Sequence, residues 1–269
     1  MENGLGRWGF ARILAKRACA VIDFLGIGAQ KAATTWIFEC LRRHPEIYFP
    51  GGKEIHFWDE CRERGIEWWL DIYRNSAHNG RKKGEITPAY ALLDEDTIHQ
   101  IAAIAPELRL FYSIRNPIAR AWSHALMVLG RAGHLDKLSD SLFIEHFTSA
   151  ASRRRGDYLS CLDRWSAVFG ADKLHVTVYD DIMADPRRVL GGIARHIGID
   201  PEFVLWLPDE LVSQPVFAGP QHPIRPFLLD FLRALYSPAI KALSERMQRN
   251  FMHWLSWDGY NFTCTRDKG

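Results

Sequence analysis

Val21-Ile22-Asp23-Phe24-Leu25-Gly26-Ile27-Gly28-Ala29-Gln30-Lys31-Ala32-Ala33-Thr34-Thr35-Trp36 carries the reading of the fold. Residues 21–27 are an apolar run broken only at Asp23, the pattern of a largely buried strand. The stretch from Gly28 to Thr35 is small-residue apart from Gln30 and Lys31, and it leads into an apolar-periodic Trp36 to Leu41 that predicts a helix. Strand, small-residue loop and helix expose backbone N–H groups at the positive end of a helix dipole, which is what a phosphate or sulfate requires. Lys31 and the hydroxyls of Thr34 and Thr35 add charge and donors. Alone, G-x-x-K-x-x-T-T is also compatible with an ordinary βα turn, and it lacks the Gly-Lys-Ser/Thr ending of the nucleoside triphosphate loop.

Outward from this element the chain alternates. Leu108 to Ile114 reads as a second strand, followed by Arg115-Asn116-Pro117 and a helical pattern from Ile118 to Leu129, with Pro117 suited to the first helical position. Lys173 to Tyr179 reads as a third, between helices over Tyr158–Phe169 and Pro186–Ile197. Gly84 to Thr87 predicts a short strand, and residues 65–73 and 94–104 predict helices. A loop rich in proline and glycine from Ser213 to Pro226 precedes a helix from Phe227 to Arg249. The alternation predicts an α/β fold, a three-layer α/β/α sandwich on a central parallel sheet. Ligands gather at the carboxyl ends of such strands, so the loop at Lys31 and the Arg115 element, with Ser123 farther along its helix, can hold two phosphates of one nucleotide. The alternative makes Arg115 and Arg120 surface charges.

The 269 residues fit one domain over 1–269, with a basic N-terminal segment at 1–20 and a core at about 21–260. Lys and Arg number 34 against 32 Asp and Glu, so no global field recruits nucleic acid or membrane. Five cysteines without C-x-x-C argue against a disulfide framework or zinc ribbon and fit a reducing, cytoplasmic setting. The N-terminal stretch has no uninterrupted apolar segment, and no run approaches the roughly 18 residues of a membrane span. Residues 7–20 are expected to form a helix packed on the sheet, with lipid contact as the alternative. The histidines show no metal-binding spacing, so no metal is expected. Trp68, Trp69, Trp206, Trp254 and Trp257 are read mostly as core, Arg81-Lys82-Lys83 as a turn surface, and Arg153-Arg154-Arg155 as a solvated run with contact to an anionic acceptor as the alternative.

The stretch from Phe24 to Asp59, with Lys31, Thr34, Thr35, His44-Pro45 and Lys53-Glu54-Ile55-His56-Phe57-Trp58-Asp59, resembles sulfotransferases that use 3′-phosphoadenosine 5′-phosphosulfate (PAPS). It is most similar to the carbohydrate branch typified by heparan sulfate sulfotransferases. Gly84-Glu85-Ile86-Thr87-Pro88-Ala89-Tyr90, the element from Arg115 to Ser123, Gly156-Asp157-Tyr158 with Leu162 and Trp165, and Gly219-Pro220-Gln221-His222-Pro223 follow in the same order.

The resemblance implies a P-loop-like nucleotide-binding fold, PAPS as donor leaving adenosine 3′,5′-bisphosphate (PAP), and no metal. It implies that Lys31, Ala32, Ala33, Thr34 and Thr35 hold the 5′-phosphosulfate, with Lys31 near the bridging oxygen. Arg115 and Ser123 would take the 3′-phosphate, Tyr158 would join the nucleotide site, and Gly219, Gln221 and His222 would close over it. Glu54 would be the base for an acceptor hydroxyl or amine on a glycan or other small alcohol, with His56 as the alternative base, and His56 and Asp59 would shape the acceptor side. Two positions depart from the pattern: Ile86 stands where a lysine is usual, and Pro220 where an arginine is usual. A P-loop kinase-like phosphotransferase and a catalytically silent nucleotide-binding protein are the competing readings.

Overall fold

The computed structural model describes residues 21–74, 80–132, 135–213 and 222–259. The helix expected over 7–20 and most of the proline- and glycine-rich loop, including Gly219 and Gln221, lie outside these residues.

Five strands form one parallel sheet in the order β2-β3-β1-β4-β5. They are β1 (Phe24–Gly28), β2 (Ile47–Tyr48), β3 (Lys82–Ile86), β4 (Arg109–Ile114) and β5 (Leu174–Val178). Helices α1 (Thr34–Leu41), α2 (Ile66–Arg74), α3 (Glu95–Ile104), α4 (Pro117–Leu129), α5 (Asp140–Thr148), α6 (Ala150–Gly156) and α7 (Tyr158–Phe169) precede β5. After it come α8 (Tyr179–Ala184), α9 (Pro186–Ile197), α10 (Asp209–Ser213) and α11 (Pro226–Met247). The expected sandwich is therefore present. The short edge strand β2 and the pair α5–α6 carry no period long enough to read from sequence.

Period-two alternation sorts the strand side chains onto two cores. Leu25, Ile27, Leu110, Tyr112 and Ile114 face one cluster, under α2, α3, α4, α7 and α11. Phe24, Ile86 and Phe111 face the other, under α1 and α9 with Trp36, Ile37, Leu190 and Ile193. Each fully buried side chain of this kind contributes about 1.5–3 kcal/mol. The stacked Phe24 and Phe111 rings, 6.5 Å apart, explain two glycines. A Cβ on Gly26 would come within 2.5 Å of the Phe111 ring, and one on Gly84 within 2.0 Å of Phe24.

Asp23, the polar break in the first strand run, accepts from the Lys83 backbone N–H at 2.8 Å and from Lys82 Nζ at 3.3 Å. Lys82 and Lys83 thus open β3, and Lys83 is buried, which corrects the surface-turn reading. Trp69, Trp254 and Trp257 are core as expected, whereas Trp206 is 84% exposed.

β1 has β3 and β2 on one side and β4 and β5 on the other, so strand order reverses at β1. At this switch the carboxyl ends of β1 and β4 bring residues 29–33 beside residues 115–116, where α/β folds bind ligands.

Candidate active site

The loop after β1 is fastened to the end of β4 by three hydrogen bonds. The Ala29 N–H donates to the Ser113 carbonyl at 2.7 Å, the Ser113 hydroxyl donates to the Ala32 carbonyl at 2.7 Å, and Arg115 Nη1 donates to the Lys31 carbonyl at 3.3 Å. Lys31 and Ala33 take left-handed φ values of 71° and 65°. Such conformations cost non-glycine residues on the order of 1–3 kcal/mol each and mark sites whose surroundings enforce them. The amino terminus of α1 has no side-chain cap, whereas Asp94, Asn116, Asp157 and Asp185 cap α3, α4, α7 and α9. Its N–H groups are thus left to bond an anion.

Arg115 is buried, not a surface charge. Its guanidinium lies 4.5 Å from the Tyr179 ring centroid, and its carbonyl accepts from the Tyr158 hydroxyl at 2.7 Å. Tyr158 therefore positions Arg115 from below. Burial, and then the Arg115 charge, push the Lys31 ammonium below its ordinary value, and burial does the same to Arg115. Two adjacent cations that disfavour one another are relieved by a bound anion. Arg120, on the first turn of α4, is also fully buried, with Nη2 donating to the Ser152 carbonyl at 3.1 Å. Ser123 lies two turns into α4 and is part-exposed. The His222 carbonyl accepts from Trp122 Nε1 at 2.9 Å, which ties the start of the last segment to α4.

A second cluster is built on residues 53–59. Glu54 and His56 also have positive φ, 64° and 58°, so four of the five non-glycine residues with this backbone among the described residues lie in the two loops. The Glu54 N–H donates to the Ile86 carbonyl at 3.2 Å, which hangs the segment from the end of β3. Lys53 pairs with the Glu54 carboxylate, and burial pushes Lys53 down to about 8. His56 stands between two carboxylates, with Nε2 3.4 Å from Glu54 Oε2 and Nδ1 2.9 Å from Asp59 Oδ2. His56, Asp59 and Glu60 bring possible metal-ligand atoms within 4.8 Å of one another, an arrangement exposed acidic groups often adopt without an ion.

The segment rests on a buried carboxylate. Glu85 accepts from Thr87 Oγ1 at 2.6 Å, from the Tyr73 hydroxyl at 3.0 Å and from Trp69 Nε1 at 3.4 Å. Ile86 is fully buried in the second core, so no cation replaces the lysine expected at that position. Arg155, read from the sequence as part of a solvated run with contact to an anionic acceptor as the alternative, is braced instead, its Nε donating to Gln30 Oε1 at 2.8 Å. It belongs to neither loop and is not the solvated side chain expected. Its only signal was the arginine run before Gly156.

Residues 87–202 match the sulfotransferase family. Human heparan sulfate glucosamine 3-O-sulfotransferase 6 is 27% identical over 177 residues, 64% of this chain and 51% of that protein. The chain thus spans about half the length of that curated relative. A sulfotransferase from Alicyclobacillus acidocaldarius superposes with a TM-score of 0.68 at 21% identity, over 87% of this chain and 98% of that one, and shows the same fold. The membrane-associated sulfotransferase kil1 of Dictyostelium discoideum is 29% identical over 38% of this chain and 22% of its own length. That relative and the heparan sulfate enzymes overturn the cytoplasmic placement, which rested on cysteine usage and hydropathy alone. Among the described residues no helix is long and apolar enough to cross a membrane. The parallel sheet, the loop after β1 and the ordered motifs agree with these matches, which make the chain similar to sulfotransferases, by family over residues 87–202 and by fold over most of its length.

Proposed function

We propose that the chain transfers a sulfuryl group from PAPS to a hydroxyl or amine of a carbohydrate or other small alcohol, using one domain over about residues 21–260. The observation that carries this reading is the Lys31–Arg115 pair, joined through the Lys31 carbonyl beside an uncapped helix start. Two cations on loops from neighbouring strands suit a ligand with two separated anionic groups. The similarity to heparan sulfate enzymes supports sulfuryl transfer to a glycan over the phosphotransferase alternative.

PAPS supplies the activated sulfuryl group and leaves as PAP. Residues 31–35 hold the 5′-phosphosulfate, Arg115 and Ser123 the 3′-phosphate, and His222, with Gly219 and Gln221, the nucleotide. Glu54 takes the proton of the acceptor hydroxyl or amine as the new bond to sulfur forms. The bond from sulfur to the bridging phosphate oxygen breaks, and its electron pair stays on the phosphate. Lys31, next to that oxygen, meets the growing charge. His56 and Asp59 orient the acceptor side.

Calorimetry with PAP, adenosine 5′-phosphate and ATP plus Mg²⁺ tests the donor site. We expect PAP to bind most tightly and Arg115→Ala to weaken PAP at least about tenfold more than adenosine 5′-phosphate, the effect of one charge-assisted contact. Equal losses remove Arg115 from the 3′-phosphate, and preference for ATP overturns the donor assignment.

A further inference from the structure

The amino ends of the strands carry a second concavity, at the edge of the sheet opposite the loop at Lys31. It is a groove of about 660 Å³ where Ile22 and Asp23 lead into β1, Arg109 opens β4, and the last turns of α3 and α9 come together. Arg109 and Arg115 stand at the two ends of β4, six residues or roughly 20 Å apart. The groove therefore shares no residue with the site proposed above. Its floor is apolar: Ile104, Leu108 and Ile197 line it and are almost fully buried.

Charge in the groove does not balance. Asp23 is satisfied by Lys82 Nζ and the Lys83 N–H, and Glu107 pairs with Lys173 Nζ at 3.2 Å. His196 Nε2 donates to the Lys173 carbonyl at 3.1 Å, and burial holds His196 below its ordinary imidazole value despite that bond. Arg109 is close enough to His196 to push the same way, and Arg195 does so to His175, whose ring stacks on His196 with centroids 5.3 Å apart. Neither guanidinium forms a hydrogen bond or ion pair among the described residues, although Arg109 is half-buried. The carboxyl ends of α3 and α9 attract cations, but each carries only about half a unit of negative charge. The Ala105 and Gly198 N–H groups already bond the Ile101, Ala194 and Arg195 carbonyls there. Two arginines thus stand around an apolar floor with more positive charge than the helix ends absorb.

We propose that this groove binds an amphiphilic oxyanion, an aromatic or short aliphatic body carrying one sulfate or phosphate ester group. The body covers Ile104, Leu108 and Ile197, and the oxyanion takes N–H groups of Arg109 and Arg195. The planar guanidinium matches the oxygens of such a group, and a half-buried one gains more from an anion than an exposed one does. A groove of this volume lies in the range of sites for small organic ligands, so it calls for a body as well as a charge. Binding here is independent of the groups at the other end of the strands.

Calorimetry on the full chain, with and without saturating PAP, tests this with three probes: 2-naphthyl sulfate, 2-naphthol and inorganic sulfate. Wild type is expected to bind 2-naphthyl sulfate whether or not PAP is present. It should bind 2-naphthol and inorganic sulfate at least about tenfold more weakly, because each keeps only one half of the match. Arg109→Gln combined with Arg195→Gln should weaken 2-naphthyl sulfate at least about tenfold and leave PAP affinity within about twofold. Arg195→Glu, a change at an exposed position that spares the fold, should weaken 2-naphthyl sulfate and leave 2-naphthol unchanged. Absence of binding to wild type overturns the assignment, as does equal affinity for 2-naphthol or for inorganic sulfate. Wild-type affinity for 2-naphthyl sulfate in the folded variants overturns it as well. Abolition of binding by PAP would place the probe at the Lys31 loop and have the same force.

Discussion

The Ser113 hydroxyl donates to the Ala32 carbonyl across 2.7 Å, so the end of β4 holds the donor loop from behind. Ser113 is fully buried, and its own carbonyl accepts from the Ala29 N–H. Ser113→Ala removes the donor and leaves a carbonyl unpaired, at a cost of about 1–3 kcal/mol. Because Lys31 and Ala33 are held in left-handed conformations by this frame, part of that cost should fall on the loop. We expect PAP affinity to drop about five- to tenfold by calorimetry, with a lowered melting temperature. Wild-type affinity in a destabilised variant would show that the loop is set by its other contacts.

Glu85 is a fully buried carboxylate beneath the acceptor segment, and burial raises its pKa despite the donors around it. The native state therefore holds the proton more tightly than the unfolded chain. Stability contributed here is present below the ordinary carboxylate value and declines as pH rises toward the raised one. Glu85→Gln removes the buried charge and keeps the shape, so it should match or exceed wild-type stability at pH 8 in urea titrations. Glu85→Ala orphans the Tyr73, Thr87 and Trp69 donors and should lose about 3 kcal/mol or more. Equal losses in both variants would mean that the charge itself is needed.

The fold was legible because β1, β4 and β5 are apolar runs followed at once by helical periods, a local signal that tertiary packing reinforces. The loop after β1 was legible for the same reason: its strand end, turn and helix start are made by contiguous residues. The bracing of Arg155 was not, because its partner is Gln30, 125 positions away, and an arginine run reads the same whether solvated or braced. Glu85 read as part of a motif, but only the fold brings Tyr73 and Trp69 onto its carboxylate. Placement in the cell was misread because cysteine count and hydropathy describe the domain and not its address.

His124 and His146 share a hydrogen bond at 2.9 Å, and burial pushes His124 down to about 3 and lowers His146. Between the ordinary imidazole value near 6.5 and about 3, the unfolded chain takes up a proton that native His124 refuses. Stability thus rises with pH across this window and is lost on acidification from 6.5 downward. The term is on the order of 2 kcal/mol by pH 5. His124→Gln should flatten the acid limb of melting temperature against pH without removing it, since half-buried His175, lowered to about 4, adds to the same limb. An unchanged slope would mean that His124 is protonated in the native state.

The arrangement of Glu54, His56 and Asp59 bears on which group takes the acceptor proton. Asp59 occupies His56 Nδ1, which leaves only Nε2 to act, and Nε2 points at Glu54 from 3.4 Å. Lys53, on the other side of Glu54, pairs with the same carboxylate. Glu54 is therefore held by two neighbours, and His56 is held by Glu54 and Asp59, the geometry of a base with a positioning partner. If Glu54 is the base, Glu54→Gln keeps the shape and abolishes basicity, and turnover should fall by roughly 10² to 10⁴ with PAP affinity intact. His56→Asn should cost less, about tenfold, and Asp59→Asn should follow it because both act through orientation. Wild type should lose activity in acid as Glu54 protonates, and that limb should be missing in Glu54→Gln. Turnover against pH for the three variants decides the matter. Near-wild-type turnover in Glu54→Gln beside a dead His56→Asn would move the base to the histidine.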